Sequence, residues 1–285
     1  MRGYGLSHGA ATIVNAIATG RGAAFGIDLR TEAWVELNDS GRVDVVIEGF
    51  QGESDELVRR CVLNTLDLFR SSGRGAKVTT RSQIPISRGL KSSSAAANAV
   101  VMATIRALGE ELDDLEAIRI GTRSAIEAKV SITGAFDDAC ASLLGGIVLT
   151  DNTGQQLIRR ERMPEGRKVL IHVPKFQIRK GGLPLQRIRS LSKLVDVAFA
   201  EAMAGRYTEA MMLNSLCYSA ALELDTKVMI KALENGALAA GLSGTGPATA
   251  ILVEERDAES MLSVLDGKEF IVADIYNGEG QGSRR

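Results

Sequence analysis

Apolar residues at Leu57, Val58, Cys61, Val62, Leu66 and Phe69 recur at the 3.6-residue spacing of one helix face. Ser54 stands where a cap belongs and Gly73 where a helix stops. The same reading places a helix from the Ser92–Ser94 cluster to Leu108. Another starts at Asp113, with Glu116 completing a capping box, and runs to about Val130. Further helices are predicted over Leu183–Ala204, Thr208–Leu222, Lys227–Glu234 (closed by Asn235 and Gly236) and Ala258–Leu265. β-Branched runs predict strands at Ala33–Leu37, Val43–Ile47, Lys77–Ile84, Ile147–Leu149, Val169–Val173, Thr249–Val253 and Phe270–Ile275. The turn residues Asn38 to Gly41 make the first two strands read as a hairpin. Strands and helices interleave without the even spacing of a doubly wound sheet, so the class is α+β in two parts. The polar stretch Asp151–Gln156, followed by Arg159–Arg162, marks the junction and divides 1–158 from 159–285. The tail Gly278–Arg285 reads as frayed.

Composition narrows the picture. The chain has 285 residues, 45% hydrophobic and 24% charged, too apolar for a disordered protein and too polar for a membrane bundle. The length allows one large domain or two small ones, at roughly 150 residues per domain. Thirty glycines against five prolines point to close backbone approaches rather than rigid turns. With 34 basic and 35 acidic residues, no basic surplus is available for nucleic acid. Cys61, Cys140 and Cys217 are scattered and read as buried, reduced thiols. His8 and His172 are the only histidines, which excludes a His-rich metal site. The Ala10–Ala18 stretch after Arg2 faintly imitates a signal peptide, but His8 and Asn15 interrupt it. No run approaches the ~18 consecutive apolar residues of a membrane span. The expectation is a soluble cytoplasmic protein that uses neither membrane nor nucleic acid.

Three segments carry candidate chemistry. In Pro85, Ile86, Ser87, Arg88, Gly89, Leu90, Lys91, Ser92, Ser93, Ser94 and Ala95, a strand end passes through a Gly/Ser loop into an Ala-rich helix. A helix N-terminus offers unpaired N–H groups and about half a positive charge. Small residues let a phosphate approach, hydroxyls add hydrogen bonds or hold Mg²⁺, and Arg88 and Lys91 add charge, so the segment suits a polyphosphate. It is not a Walker A loop, because Leu90 and not glycine precedes Lys91. The second segment, Gly241–Pro247, has three glycines that allow close approach to a ligand or to another loop. The third holds Asp137 and Asp138 after the Gly134 turn, with Glu127 upstream. Adjacent carboxylates are costly unless a cation, a proton or a helix N-terminus uses their charge. Glu127 suits a salt bridge to Lys129 or a Mg²⁺ ligand role.

In this order the segments resemble the signatures of the GHMP kinase superfamily, P-x-x-x-G-L-G-S-S-A-A and, later, L-S-G-[ST]-G-P. Pro85–Leu90 matches the first and Leu242–Pro247 the second. Lys91 with an extra serine departs from the first pattern. That form, together with the stretch Gly9–Leu29, resembles the archaeal-type shikimate kinase branch. The P-G-K and G-E-H elements of mevalonate and galactose kinases are missing. The resemblance implies an N-terminal domain like domain 2 of ribosomal protein S5 and a ferredoxin-like C-terminal domain. It also implies ATP, Mg²⁺ and phosphorylation of shikimate, a step of aromatic amino-acid biosynthesis. By position, Gly89–Ala95 would hold the ATP phosphates, with Gly244, Thr245 and Gly246 beside them. Ser93 or Ser94 and Glu127 would bind Mg²⁺, and Lys91 would stabilise the transferring charge. Asp138 or Asp137 would act on the acceptor hydroxyl; the D-x-x-x-S pattern with Ser142 favours Asp138. Arg21, Lys129, Arg179 and Lys180 are candidates to pair with the shikimate carboxylate.

Overall fold

The computed structural model describes residues 1–49, 54–85, 89–176, 182–266 and 270–278. Glycine and alanine shape its first sheet. Strand β1 (Arg2–Val14) pairs antiparallel with the long β2 (Arg21–Asn38) along nearly its whole length. Helix α2 (Ser92–Leu108) lies so close on these strands that a Cβ at Gly3 or Gly5 would stand 2.0 Å from a carbonyl oxygen of Ala103 or Ala99. Most of the β1–β2 hairpin is buried on both faces, so it lacks the polar alternation by which a strand is recognised.

The other edge of β2 is shared. Strand β4 (Gly75–Ser82) takes Thr31–Asn38, and β5 (Ile147–Asp151) takes Arg21–Phe25. Strand β3 (Val43–Ile47) pairs parallel with β4, with α1 (Glu56–Leu68) as the crossover between them. The expected hairpin is therefore corrected: β4 is inserted between β2 and β3, and the Asn38–Gly41 turn leads across it. Strand β6 (Gln156–Glu161) completes the sheet as its edge, and edge position explains its polarity. The junction expected at 158/159 falls inside this strand, and the second sheet begins at β7 (Arg167–His172).

Helix α3 (Asp114–Glu127) is capped by the Asp113 carboxylate, which accepts from Leu115 and Glu116 N–H. It ends earlier than expected, in a Schellman motif: Lys129 takes φ 57° and Val130 N–H donates to Ala125 O. Helix α4 (Phe136–Leu144) follows after the Gly134 turn.

The second sheet has the order β10–β7–β9–β8, with β8 at Ala239–Leu242, β9 at Thr249–Glu254 and β10 at Phe270–Asp274. Helices α5 (Leu185–Ser190) and α6 (Ser192–Met203) replace the single helix expected there, broken at Leu191. Helix α7 spans Tyr207–Leu222, α8 Lys227–Glu234 and α9 Ala258–Val264. One buried cluster joins the two halves, with Ile13, Val14 and Phe25 of the first sheet, Ile171 and Ala250 of the second, Phe199 of α6 and Tyr218 of α7. Cys61, Cys140 and Cys217 are all buried and free. Gly278 is packed so tightly that a Cβ there would lie 2.0 Å from Leu144 O; the rest of the tail lies outside the described residues. Among the described residues no helix is long and apolar enough to cross a membrane.

Candidate active site

Helix α2 opens into a cleft of about 430 Å³ with its first turn uncapped. Its N-cap residue, Lys91, makes no side-chain cap, and no acidic residue stands in the first turn. Ser92, Ser93 and Ser94 line the cleft, half-buried. The unpaired N–H groups and hydroxyls of this turn face the space where an anion would sit. Lys91 has φ 67°, a left-handed conformation costly for a side-chain-bearing residue. Lys129 (φ 57°) and Ala135 (φ 53°) share that conformation and line the same cleft. Strained backbone of this kind concentrates at functional sites.

The two glycine-rich segments, far apart in sequence, meet here. Ser243 Oγ donates to Gly89 O at 2.8 Å, and Gly244 N–H donates to Thr12 Oγ1 at 2.8 Å. A Cβ at Gly89 (φ 87°) would fall 2.1 Å from Ser243 O. The second segment thus supports the first from behind, while Gly244, Thr245 and Gly246 still reach the cleft. Leu90 and Ala95 turn their side chains into the shared core, so only their backbone is available to a ligand.

The carboxylates sit in the first turn of α4, where the helix dipole favours negative charge. Asp138 Oδ1 lies 2.8 Å from Lys91 Nζ in a largely buried ion pair, without the alignment of a hydrogen bond. Asp137 lies deeper. Its Oδ1 accepts from Asn152 Nδ2 at 2.7 Å, and its N–H donates to Asn152 Oδ1. Thr150 Oγ1 donates to the same Asn152 oxygen at 2.7 Å. A Cβ on Gly22 would sit 2.5 Å from Asp137 Oδ2, so a larger residue at that point of β2 would displace the carboxylate. Burial, and then the neighbouring Asp138 charge, hold the Asp137 carboxyl well above the ordinary carboxylate range. Of the two acids, Asp138 is the one with the cleft-lining cation beside it. Ser142, four residues on, turns away from the cleft and donates to His8 O.

Glu127 is placed apart from this cluster. Its carboxylate accepts from Asn64 Nδ2 at 2.9 Å, lies 3.8 Å from Arg123 and does not line the cleft. Its ion-pair partner is Arg123 and not Lys129. Arg21 is also engaged elsewhere, paired with Asp196 at 2.7 Å and stacked over Phe199. Lys129 lines the cleft. Pro85 is half-buried at the end of the first segment; Ile86, Ser87, Arg88, Arg179 and Lys180 lie outside the described residues. No group of three or more His, Cys, Asp or Glu able to cage a metal occurs among the described residues. The donors present, serine hydroxyls and the unaligned Asp138 oxygen, fit a hard cation that keeps phosphate and water ligands. Thr12, Asn15 and Asn152 were not singled out by sequence; a lone buried polar residue inside an Ala/Gly run or a loop gives no periodic signal.

The cleft has two ends. Ile47, Leu57, Val58, Val130 and Ile132 form an apolar end beside α1 and α3. Asn15, Ile17, Asp138 and the Gly244–Gly246 backbone form a polar one. The α2 N-cap Lys91 stands at the polar end, beside Asp138 and Gly244. Two α+β units with an uncapped helix N-terminus and a lysine–aspartate pair in a shared cleft are the arrangement a small-molecule phosphotransferase requires. The chain belongs to the GHMP kinase family: residues 56–146 match the GHMP kinases N terminal domain and residues 199–271 the GHMP kinases C terminal domain. It is 47% identical over 279 residues to a shikimate kinase of Methanothrix thermoacetophila, covering 97% of this chain and 95% of that one. It is 46% identical to a shikimate kinase of Methanosarcina mazei, covering 92% and 89%. The fold is similar to homoserine kinase from Cytophaga hutchinsonii, with a TM-score of 0.76 at 19% identity, covering 97% of this chain and 96% of that one. It is also similar to Lactococcus lactis galactokinase, with a TM-score of 0.78 at 13% identity, covering 98% and 95%.

Proposed function

We propose that this protein transfers the γ-phosphoryl group of ATP to the 3-hydroxyl of shikimate. The observation that carries the reading is similarity along nearly the whole chain to shikimate kinases, at 47% identity in the Methanothrix relative. The expected α+β architecture and GHMP signatures agree with it.

In this reading the uncapped α2 turn and Lys91 hold the triphosphate, and the apolar end of the cleft takes the nucleoside. The acceptor lies at the polar end, because its hydroxyl must reach a carboxylate. Asp138 orients that hydroxyl and receives its proton as the phosphoryl group moves in line through a loose transition state. A proton acceptor used this late need not match the basicity of an alkoxide. Lys91 serves twice, fixing the Asp138 carboxylate and offsetting charge on the transferring group. Asp137, tied to Asn152, supports the turn from beneath. Mg²⁺ would neutralise phosphate charge, held by Ser93 and Ser94 with the phosphates. Glu127, tied to Asn64 and Arg123 outside the cleft lining, would reach such an ion only by giving up those contacts.

The test is a coupled ADP-release assay with shikimate and homoserine, and identification of the phosphorylated product. Turnover on shikimate giving the 3-phosphate is expected. Turnover on homoserine alone would overturn the reading.

A further inference from the structure

The strands β1, β2, β4 and β3, in that spatial order, bury one face against α1 and α2, where Val35 and Val78 pack with Val58 and Val100. Their other face is open: Tyr4 is 38% exposed, Trp34 36% and Val46 49%. A solvated sheet face is ordinarily polar, yet this one carries the only tryptophan of the chain. The Tyr4 and Trp34 rings lie 5.6 Å apart, and the Arg81 guanidinium stands over the indole.

Strand register sorts the outward side chains into three rows, because residues directly opposite one another share a face. Tyr4, Trp34, Thr79 and Val46 make the middle row. Arg2, Glu36, Lys77 and Asp44 flank it on one side. Leu6, Glu32, Arg81 and Glu48 flank it on the other. Charge alternates along both flanking rows. Arg2 is paired with Glu36 and Arg81 with Glu48, whereas Lys77 and Asp44 have no ion pair among the described residues.

This pattern complements itself. A twofold axis along the strands, between β2 and β4, lays the face on a second copy and exchanges β1 with β3 and β2 with β4. Each row then meets itself. Arg2 faces Asp44 of the second copy, Glu36 faces Lys77, and Glu32 faces Arg81, every contact occurring twice. Tyr4 and Trp34 cover Val46 and Thr79. Leu6 opposite Glu48 is the single mismatch, and Arg81 already holds that carboxylate. A twofold axis across the strands would instead set Glu36 on Glu32 and Lys77 on Arg81, like charges that oppose docking.

We infer that this protein forms a twofold dimer through the open face of the β1–β2–β4–β3 sheet, with Trp34 beside the axis. The inference is independent of the phosphotransfer reading. Thr31, Ile47 and Thr80 of the same strands line the cleft on the opposite face, so both clefts stay open in the dimer. A patch of four strands by five residues measures about 20 by 17 Å, at the small end for a specific interface, so the dimer is expected at micromolar concentration.

The experiment is sedimentation velocity on the full chain from about 1 to 200 μM, the range suited to an interface of this size. A dimer is expected at the upper end, and Trp34 emission should move to longer wavelength as dilution exposes the indole. Lys77→Glu and Glu36→Lys each set like charges on both sides of the axis and are expected to weaken the dimer at least about a hundredfold. Mixed in equal amounts, the two variants are expected to associate with each other as wild type does, because each reversed charge then faces the other. Thermal melts establish that both variants fold, and the wild-type dilution series tests the inference even if one does not. A wild type that stays monomeric overturns the inference. So does a dimer that survives both reversals, which would use another face, or a mixture of folded variants that stays monomeric, which would exclude this axis.

Discussion

Lys91 and the two aspartates make three separable predictions. Asp138→Asn keeps shape and removes the proton acceptor, so kcat is expected to fall by about 10²–10⁴-fold with the ATP KM unchanged. Steady-state kinetics on both variants decide the assignment, since a larger loss in Asp137→Asn would move the role to Asp137. Lys91→Ala strips the phosphates of a cation and leaves Asp138 without its partner. A higher ATP KM is expected with a lower melting temperature, because removing one member of a buried pair costs up to about 3–5 kcal/mol. An unchanged ATP KM would remove Lys91 from the phosphate site. Asp137 gives a pH signature. Burial and Asp138 raise its pKa, so above the ordinary carboxylate range the folded chain keeps a proton that the unfolded chain has released. Stability attributable to this group therefore falls as pH rises toward and through its folded pKa. Asp137→Asn cannot ionise, so its melting temperature relative to wild type is expected to climb from acidic to alkaline pH. A difference independent of pH would show that Asp137 ionises in the fold without cost.

At the scale of elements, sequence legibility followed burial pattern. Helices with one apolar stripe, such as α1, α3 and α8, were readable because packing on one side leaves the 3.6 period intact. The GHMP signatures exposed the phosphate segment, because glycine and serine at a helix start serve a backbone geometry. Strands β1, most of β2 and β8 were missed. They are Gly- and Ala-rich and largely buried on both faces, so neither alternation nor β-branching marks them. Strand β6 reads as a junction in sequence because an edge strand is polar. The hairpin error has a different origin: pairing is decided by β4, whose insertion no local signal records. Within the site, Asn152 and Asn15 were invisible because their roles arise only when distant segments meet. The missed glycines carry their own test. Gly5 sits where a Cβ would stand 2.0 Å from Ala99 O of α2. Gly5→Ala should push helix and strand apart and lower stability by about 1–3 kcal/mol, measured by urea unfolding. Wild-type stability in that variant would mean the contact relaxes freely.

Across the whole molecule, the segment that follows β10 ties the two sheets together, and His8 sits under the tie. Ile275 bridges to Ile27, Tyr276 N–H donates to Gly26 O, and Gly146 N–H donates to Tyr276 O. Asn277 holds Met163 through both amide atoms. These contacts fill the stretch of β2 edge between its partners β4 and β5. The Tyr276 ring stacks on the buried His8 imidazole, with centroids 3.5 Å apart, and Asp28 lies 3.5 Å from Nε2. Burial outweighs the Asp28 attraction and lowers the His8 pKa to about 4. The unfolded histidine titrates near 6.5. Between these values the unfolded chain takes up a proton that the folded chain refuses. Stability therefore rises with pH through the window, is complete above about 6.5 and is lost below it. The melting temperature of the wild type relative to His8→Phe should drop as pH falls from about 6.5 to 5, a comparison in which the opposite contribution of Asp137 cancels. His8→Phe keeps a ring under Tyr276 and cannot protonate, so it lacks this acid-dependent loss. Tyr276→Leu removes the stack and should lower the melting temperature at neutral pH as well. Identical slopes for wild type and His8→Phe would place the acid sensitivity elsewhere and leave the clasp a purely mechanical tie.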